Sequence, residues 1–223
     1  MASLRDIRLV VSDMAGTTVR DSGEVARAFA AALAEHGVEA SASQINAVRG
    51  ASKREAIATL IAPRYGSDAA RVETVYGAFK QQLQRVFARE AAAVPGAAQT
   101  FAWLRARGIR LVLNTGFDRD ITDMLIDALH WGDAADAVIC SDDVAQGRPA
   151  PYMIFRAMEA SGMVDVRQVL VVGDTVSDLQ AARNAGVAVS VGVLSGAHTR
   201  AQLAAEVPAF LIDSIADLPA LWG

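Results

Sequence analysis

Leu9-Val10-Val11-Ser12-Asp13-Met14-Ala15-Gly16-Thr17-Thr18 is the stretch around which the chain is organised. Its apolar, β-branched first half reads as a buried strand, and the run stops at a carboxylate and a small-residue turn. In open α/β sheets ligands gather beyond the carboxyl ends of strands, so Asp13 stands where chemistry is expected. Taken alone, Asp13 is equally well explained as a turn former that accepts backbone N–H bonds.

Working outward, residues 20–94 carry helical spacing only. Helices are predicted over 25–36 (closed by Gly37), 43–48, 53–61 and 67–90. From Val94-Pro95-Gly96 the pattern changes to alternation. Helix 97–107 leads to strand 110–114, helix 119–129 to strand 137–140 and helix 152–161 to strand 169–172. Helix 178–185 leads to strand 187–191, and 210–212 is a last short strand. Such alternation with continuous apolar strands is the signature of a parallel sheet covered on both faces. The expected fold is α/β: a doubly wound, Rossmann-like parallel-sheet core made of residues 1–19 and 95–223, with an inserted all-α cap over 20–94 that acts as a lid.

A chain of 223 residues with 52% apolar content can bury a sizeable core. The net charge of −4, with no basic run, argues against a nucleic-acid partner, while a local cationic pocket for a small anion remains compatible with it. Residues 1–8 lack a signal-peptide core and no segment approaches ~18 consecutive apolar residues, so a cytoplasmic protein without a membrane partner is expected. Cys140 is the single cysteine. It excludes an internal disulfide or a multi-cysteine metal site and reads as a buried, inert thiol.

Four strand ends carry polar residues that converge on one sheet edge: Asp13, then Asn114-Thr115-Gly116, then Arg148 beyond Ser141-Asp142-Asp143, then Gly173-Asp174-Thr175-Val176-Ser177-Asp178. Each has a bland alternative. Thr115 can simply end a strand, Asp174 can cap the next helix, and Arg148 can be a solvated turn residue. Their joint occurrence, each just past an apolar strand, points to phosphoryl transfer. Asp13 and Asp174 can share one hard divalent cation such as Mg²⁺, which prefers oxygen ligands and keeps waters that a phosphate can replace. Thr115 and the N–H of Gly116 can bind phosphoryl oxygens, and Arg148 can spread positive charge over them. Asp178, one helical turn after Asp174, can orient Arg148 or a metal-bound water.

The order Asp-x-Ala-Gly-Thr, a hydrophobic run ending in Thr, a basic residue and Gly-Asp-x-x-x-Asp resembles the haloacid dehalogenase superfamily of aspartate-nucleophile hydrolases. That resemblance spans essentially the whole chain, cap included. It implies Asp13 as nucleophile, Mg²⁺ held by Asp13, Asp174 and the Ala15 carbonyl, and Gly16, Thr17, Arg49, Gly50 and Gly116 around the substrate. The family normally has a second Asp two residues after the nucleophile, which protonates the leaving group. Here that position is Ala15, and a methyl group forgoes general-acid help worth typically about 10²–10⁴-fold.

Asp-x-Ala-Gly-Thr-Thr at residues 13–18, with Gly147-Arg148-Pro149, is similar to the phosphonatase group. In that group a cap lysine condenses with the substrate aldehyde to an iminium, which accepts the electrons of the breaking C–P bond and removes the need for the missing Asp. Lys53, in Arg49-Gly50-Ala51-Ser52-Lys53, falls where that lysine is expected. At a helix N-terminus beside Arg49 and Arg54, its protonated form is disfavoured, which suits a nucleophilic amine. Two other readings stay open: an anion grip, as in related sugar-phosphate mutases and phosphatases, and a solvated surface lysine.

The phosphonatase group has Met before the cap glycine and His three residues after the lysine, where this chain has Arg49 and Ala56. The first change favours a more anionic substrate, and the second removes a proton shuttle. The leading expectation is therefore hydrolysis of phosphonoacetaldehyde or a related phosphonate through a Lys53 imine, catalysed by Asp13, Lys53, Thr115 and Arg148. The alternatives are a phosphatase or phosphomutase acting on a small phosphate ester, and a binding protein that has lost turnover with its Asp at position 15. By analogy with the same group, a homodimer joined through the cap is expected.

Overall fold

The computed structural model describes residues 4–223; residues 1–3, assigned above to the core, lie outside the described residues. Six strands of the described residues, β1 (Leu9–Asp13), β2 (Arg110–Asn114), β3 (Ala137–Ile139), β4 (Val169–Gly173), β5 (Val189–Val193) and β6 (Phe210–Ile212), form one sheet in the order β3-β2-β1-β4-β5-β6. Every neighbouring pair is parallel. All five residues of β1 are buried, as a central strand covered on both faces requires.

Side chains alternate between two cores, because successive strand residues point to opposite faces. Leu9, Val11, Val112, Val169 and Val171 pack beneath α7 (Tyr152–Ala160) and α8 (Val176–Ala185). Val10, Leu111, Leu113, Leu170 and Val172 pack against α5 (Ala97–Ala106), α6 (Arg119–Ala128) and a closing 3₁₀ helix (Ile215–Trp222). Each fully buried Val or Leu contributes roughly 1.5–3 kcal/mol. Cys140 is buried and its thiol is pushed up to about 12 by that burial, consistent with an inert role.

Between β1 and α5 the described residues form helices: α1 (Glu24–Glu35), α2 (Ala42–Ala47), α3 (Lys53–Tyr65) and α4 (Ala69–Glu90). Phe29 on α1 and Phe79 on α4 meet with ring centroids 4.4 Å apart, in one apolar cluster with Leu33, Ile57, Ile61 and Leu83. The two strands of chain joining this unit to the core pair with each other. Val19 bridges Ala93, and the Arg20 N–H donates to the Ala92 carbonyl at 2.8 Å.

Some boundaries differ from the sequence expectation for local reasons. Helix α3 runs through Pro63 to Tyr65, its last turn tied to α1 by Arg64 on the Gly37 carbonyl and Tyr65 on that of His36. Helix α8 starts two residues early because Thr175 and Asp178 form a reciprocal cap. Strand β5 starts two residues late, since the Val187 N–H is spent on the Ala182 carbonyl. Helix α9 (Arg200–Ala204) has no counterpart in the expectation. Among the described residues no helix is long and apolar enough to cross a membrane.

Candidate active site

Parallel pairing brings the strand tips together: Asp13 stands opposite Asn114, and Ser12 opposite Val172. The turn after β1 is built on one acceptor, the Met14 carbonyl, which takes the N–H groups of Thr17, Thr18 and Val19. Gly16 sits at φ +99° in this turn, where a Cβ would also collide with the Asp174 carboxylate. Ala15 occupies the same turn, two residues after Asp13.

Asp13, Asp174 and Asp178 are buried, and one oxygen from each lies within 4.8 Å of the others. Arg148, 2% exposed, answers two of the three. It donates to Asp13 Oδ1 at 2.8 Å and forms a tight pair with Asp178. Asp178 is further fixed by the Thr175 N–H at 3.0 Å and the Thr175 hydroxyl at 2.5 Å, so it positions Arg148. The Arg148 Nε is buried without a partner among the described residues, a spare donor on the side chain that binds Asp13.

Asp174 is different. Its oxygens accept from the Ala197 N–H at 2.6 Å and the Thr17 hydroxyl at 3.2 Å, and no described cation pairs with it. Burial and the neighbouring charge of Asp13 push its carboxyl up to about 7. Two adjacent buried carboxylates, one of them without a cationic partner among the described residues, present an all-oxygen donor set that fits a hard divalent ion. The loop after β5 completes this corner: Ala197 supplies the N–H, Ser195 donates to the Gly16 carbonyl at 2.8 Å, and Gly196 leaves room for Asp174. Sequence reading missed this loop, which carries no apolar-to-acidic transition.

Thr115 and Gly116 follow β2 beside this cluster. The Thr115 Oγ1 accepts from the Phe117 N–H at 3.2 Å. Helix α3 docks on this loop through the Lys53 N–H, which donates to the Gly116 carbonyl at 3.3 Å, and Gly116 packs against the Ala51 carbonyl. Gly50 is in the left-handed region at φ +85°, pressed against Thr175. The segment 49–53 thus lies on the loops that follow β2 and β4.

Lys53 is 6% exposed, which excludes the solvated surface reading. Its Nζ donates to the Ala51 carbonyl at 3.2 Å and lies 4.9 Å from the centre of the Phe117 ring. Burial, then Arg148, then Arg49 depress its amine to about 7, while Asp13 and Asp21 act in the other direction. Arg49 is not a free cation, because Asp21 already pairs with it and both side chains are buried. The charge read from sequence as drawing a more anionic substrate is thus taken internally.

Three further residues join α2–α4 to the core. Asp118 accepts from Arg54 on α3 and from the Ser141 hydroxyl at 2.8 Å, and Asp120 takes Lys80 of α4 at 2.7 Å. His198 Nδ1 accepts the Val176 N–H at 2.9 Å, which leaves the ring proton on Nε2, 3.0 Å from the Asn46 carbonyl of α2. Burial lowers its pKa and keeps this ring neutral.

The haloacid dehalogenase-like hydrolase family profile matches residues 7–186. A phosphonoacetaldehyde hydrolase of Paraburkholderia xenovorans is 30% identical over 227 residues, covering 96% of this chain and 84% of that one. A second, from Hahella chejuensis, is 34% identical over 195 residues, covering 81% of this chain and 66% of that one. Among solved structures, a phosphonoacetaldehyde hydrolase-like protein from Oleispira antarctica superposes with a TM-score of 0.87 at 22% identity, over 100% of this chain and 93% of that one, which shows a shared fold.

Proposed function

The chain belongs to the haloacid dehalogenase-like hydrolases, within their phosphonatase-like branch, and from that premise we propose that it cleaves the C–P bond of phosphonoacetaldehyde or a closely related small phosphonate. The observation that carries this reading is the buried Lys53 amine, depressed to about 7, on a segment docked against the loop after β2, next to the tip of β1 where Arg148 binds Asp13.

Near neutral pH a large fraction of Lys53 is the free amine, able to add to an aldehyde and expel water as an iminium. A carboxylate oxygen of Asp13 then attacks phosphorus while the C–P electron pair moves into the iminium, leaving an enamine on Lys53 and an acyl phosphate on Asp13. Protonation of the enamine carbon and addition of water release acetaldehyde and restore the amine. A second water hydrolyses the acyl phosphate and returns the carboxylate. The methyl of Ala15 costs nothing in this sequence, because an enamine needs no protonation at the moment it leaves.

Arg148 holds Asp13 and offers its spare Nε to a phosphoryl oxygen, and Thr115 and the Gly116 N–H serve as further donors to that group. Asp13, Asp174 and the Ala15 carbonyl would hold Mg²⁺, which when bound screens the carboxylates from an anionic substrate. Gly16, Thr17 and Gly50 shape the walls, and residues 20–94 act as the cap that excludes water.

Borohydride reduction in the presence of phosphonoacetaldehyde tests the reading. Inactivation with an added two-carbon mass on Lys53 is expected, and turnover without trapping would overturn it. The second reading, a phosphatase or phosphomutase for a small phosphate ester, is favoured by one observation: Arg148, with its unpartnered Nε, and Lys53 are both buried cationic side chains that act on one another, a grouping suited to gripping an anion. Phosphate release from small phosphate esters that survives Lys53→Arg would support it.

A further inference from the structure

Asp21 lies one residue beyond the point where the two connecting segments pair through Arg20 and Ala92. Its side chain is fully buried and joins three pieces of structure. Oδ1 accepts the N–H groups of Gly23 at 3.0 Å and Val25 at 3.3 Å, closing the start of α1, and Oδ2 takes the Arg49 guanidinium. Burial works against the Asp21 carboxylate, yet Arg49 and the backbone donors outweigh it and keep the group below the usual range, fully ionised.

Arg49 in turn begins the segment that delivers Lys53. Its N–H donates to the Asn46 carbonyl at 3.2 Å, its carbonyl accepts the Ser177 hydroxyl at 3.4 Å, and Gly50 follows against Thr175. A buried ion pair of this kind adds little net stability but holds one geometry, since separating either partner leaves an uncompensated buried charge.

We propose that Asp21 and Arg49 are a positioning pair: a strut from the connecting segment to the lysine-bearing loop that sets where the Lys53 amine sits, with Arg49 making no contact of its own to substrate. This rests on Lys53 being the working amine. It also accounts for an Arg at position 49 without requiring a more anionic substrate. The groups that act on the amine are Arg148 and Arg49 from one side of the charge balance and Asp13 and Asp21 from the other, with the Phe117 ring and the Ala51 carbonyl against it. The two members of the pair therefore act on the amine with opposite sign, Arg49 more strongly than Asp21.

A double-mutant cycle of Asp21→Asn and Arg49→Met tests the strut, with two readouts. The first is substrate-free: the pH midpoint for modification of Lys53 by an amine-selective acylating reagent, read by peptide mass. Arg49→Met is expected to move the midpoint up, Asp21→Asn down, and the double variant back toward the wild type. The second is kcat/KM, expected to fall about tenfold or more in each single variant and no further in the double. Circular dichroism identifies a single variant that fails to fold, and the double, which buries no unpaired charge, then decides through its midpoint. Activity that survives Asp21→Asn but not Arg49→Met would assign Arg49 to the substrate and overturn the proposal. Midpoints that stay fixed in all variants would do the same. Failure of the imine reading shows separately, as a normal labelling pattern without borohydride trapping of substrate.

Discussion

Arg148 donates to Asp13 at 2.8 Å while pairing with Asp178, so one buried guanidinium joins the tip of β1 to the first turn of α8. Both contacts are made by one nitrogen, Nη1, so what lysine in its place forgoes is the spare Nε donor of the guanidinium. Arg148→Lys is expected to lower kcat by two to three orders of magnitude, on the order of the ~3–4 kcal/mol of a lost transition-state donor. Arg148→Met leaves two buried carboxylates unpaired and is expected to destabilise the fold by about 3–5 kcal/mol, measured by urea titration at pH 7 without metal.

Lys53 gives a pH signature whose sign follows from its depression to about 7. The unfolded chain keeps this amine charged up to the ordinary lysine value of 10.5, whereas the folded protein releases the proton near 7. Between those values the unfolded state binds more protons, so the burden of burying Lys53 is full below pH 7 and declines as pH rises toward 10.5. Lys53→Met is therefore expected to raise the melting temperature most at pH 6 and least at pH 10. A constant difference across that range would show the amine to be solvated.

Removal of metal should expose the repulsion between Asp13 and Asp174. In chelator, Asp174→Asn is expected to melt higher than the wild type, because one of two adjacent like charges is gone. With millimolar Mg²⁺ the order reverses, since the wild type gains stability by mass action and the variant gains little. Calorimetry with and without Mg²⁺ reads both arms.

Gly50 presses on Thr175 at a positive φ, and an added methyl has no room there. Gly50→Ala should keep the fold of the core yet hold the segment 49–53 off it, with kcat/KM down at least about tenfold, as expected when positioning is lost by an ångström or so. Unchanged kinetics in this variant would mean that the contact between the cap loop and the core is dispensable.

Much of the architecture was legible before any coordinates, because its signals are local. Most strands are apolar runs ended by a polar residue, the helices show apolar residues at helical spacing, Asp13, Thr115 and Asp174 stand at or just past such runs, and Arg148 lies on the loop that follows β3. A strand tip is a place that the chain itself marks, and parallel order then assembles the four tips.

What tertiary structure alone decided are the partners that meet across long separations. Asp21 with Arg49, Arg54 with Asp118, and the Ala197 N–H with Asp174 leave no periodic trace, since an ion pair or a single backbone donor constrains no neighbouring residue type. The state of Lys53 belongs to this group too. Its residue type, its helix-end position and its neighbour Arg49 were visible in the chain, but its depressed basicity comes chiefly from burial, with Phe117 against the amine, and from Arg148 on the core, which meet it only once the helical insertion is folded down on the sheet.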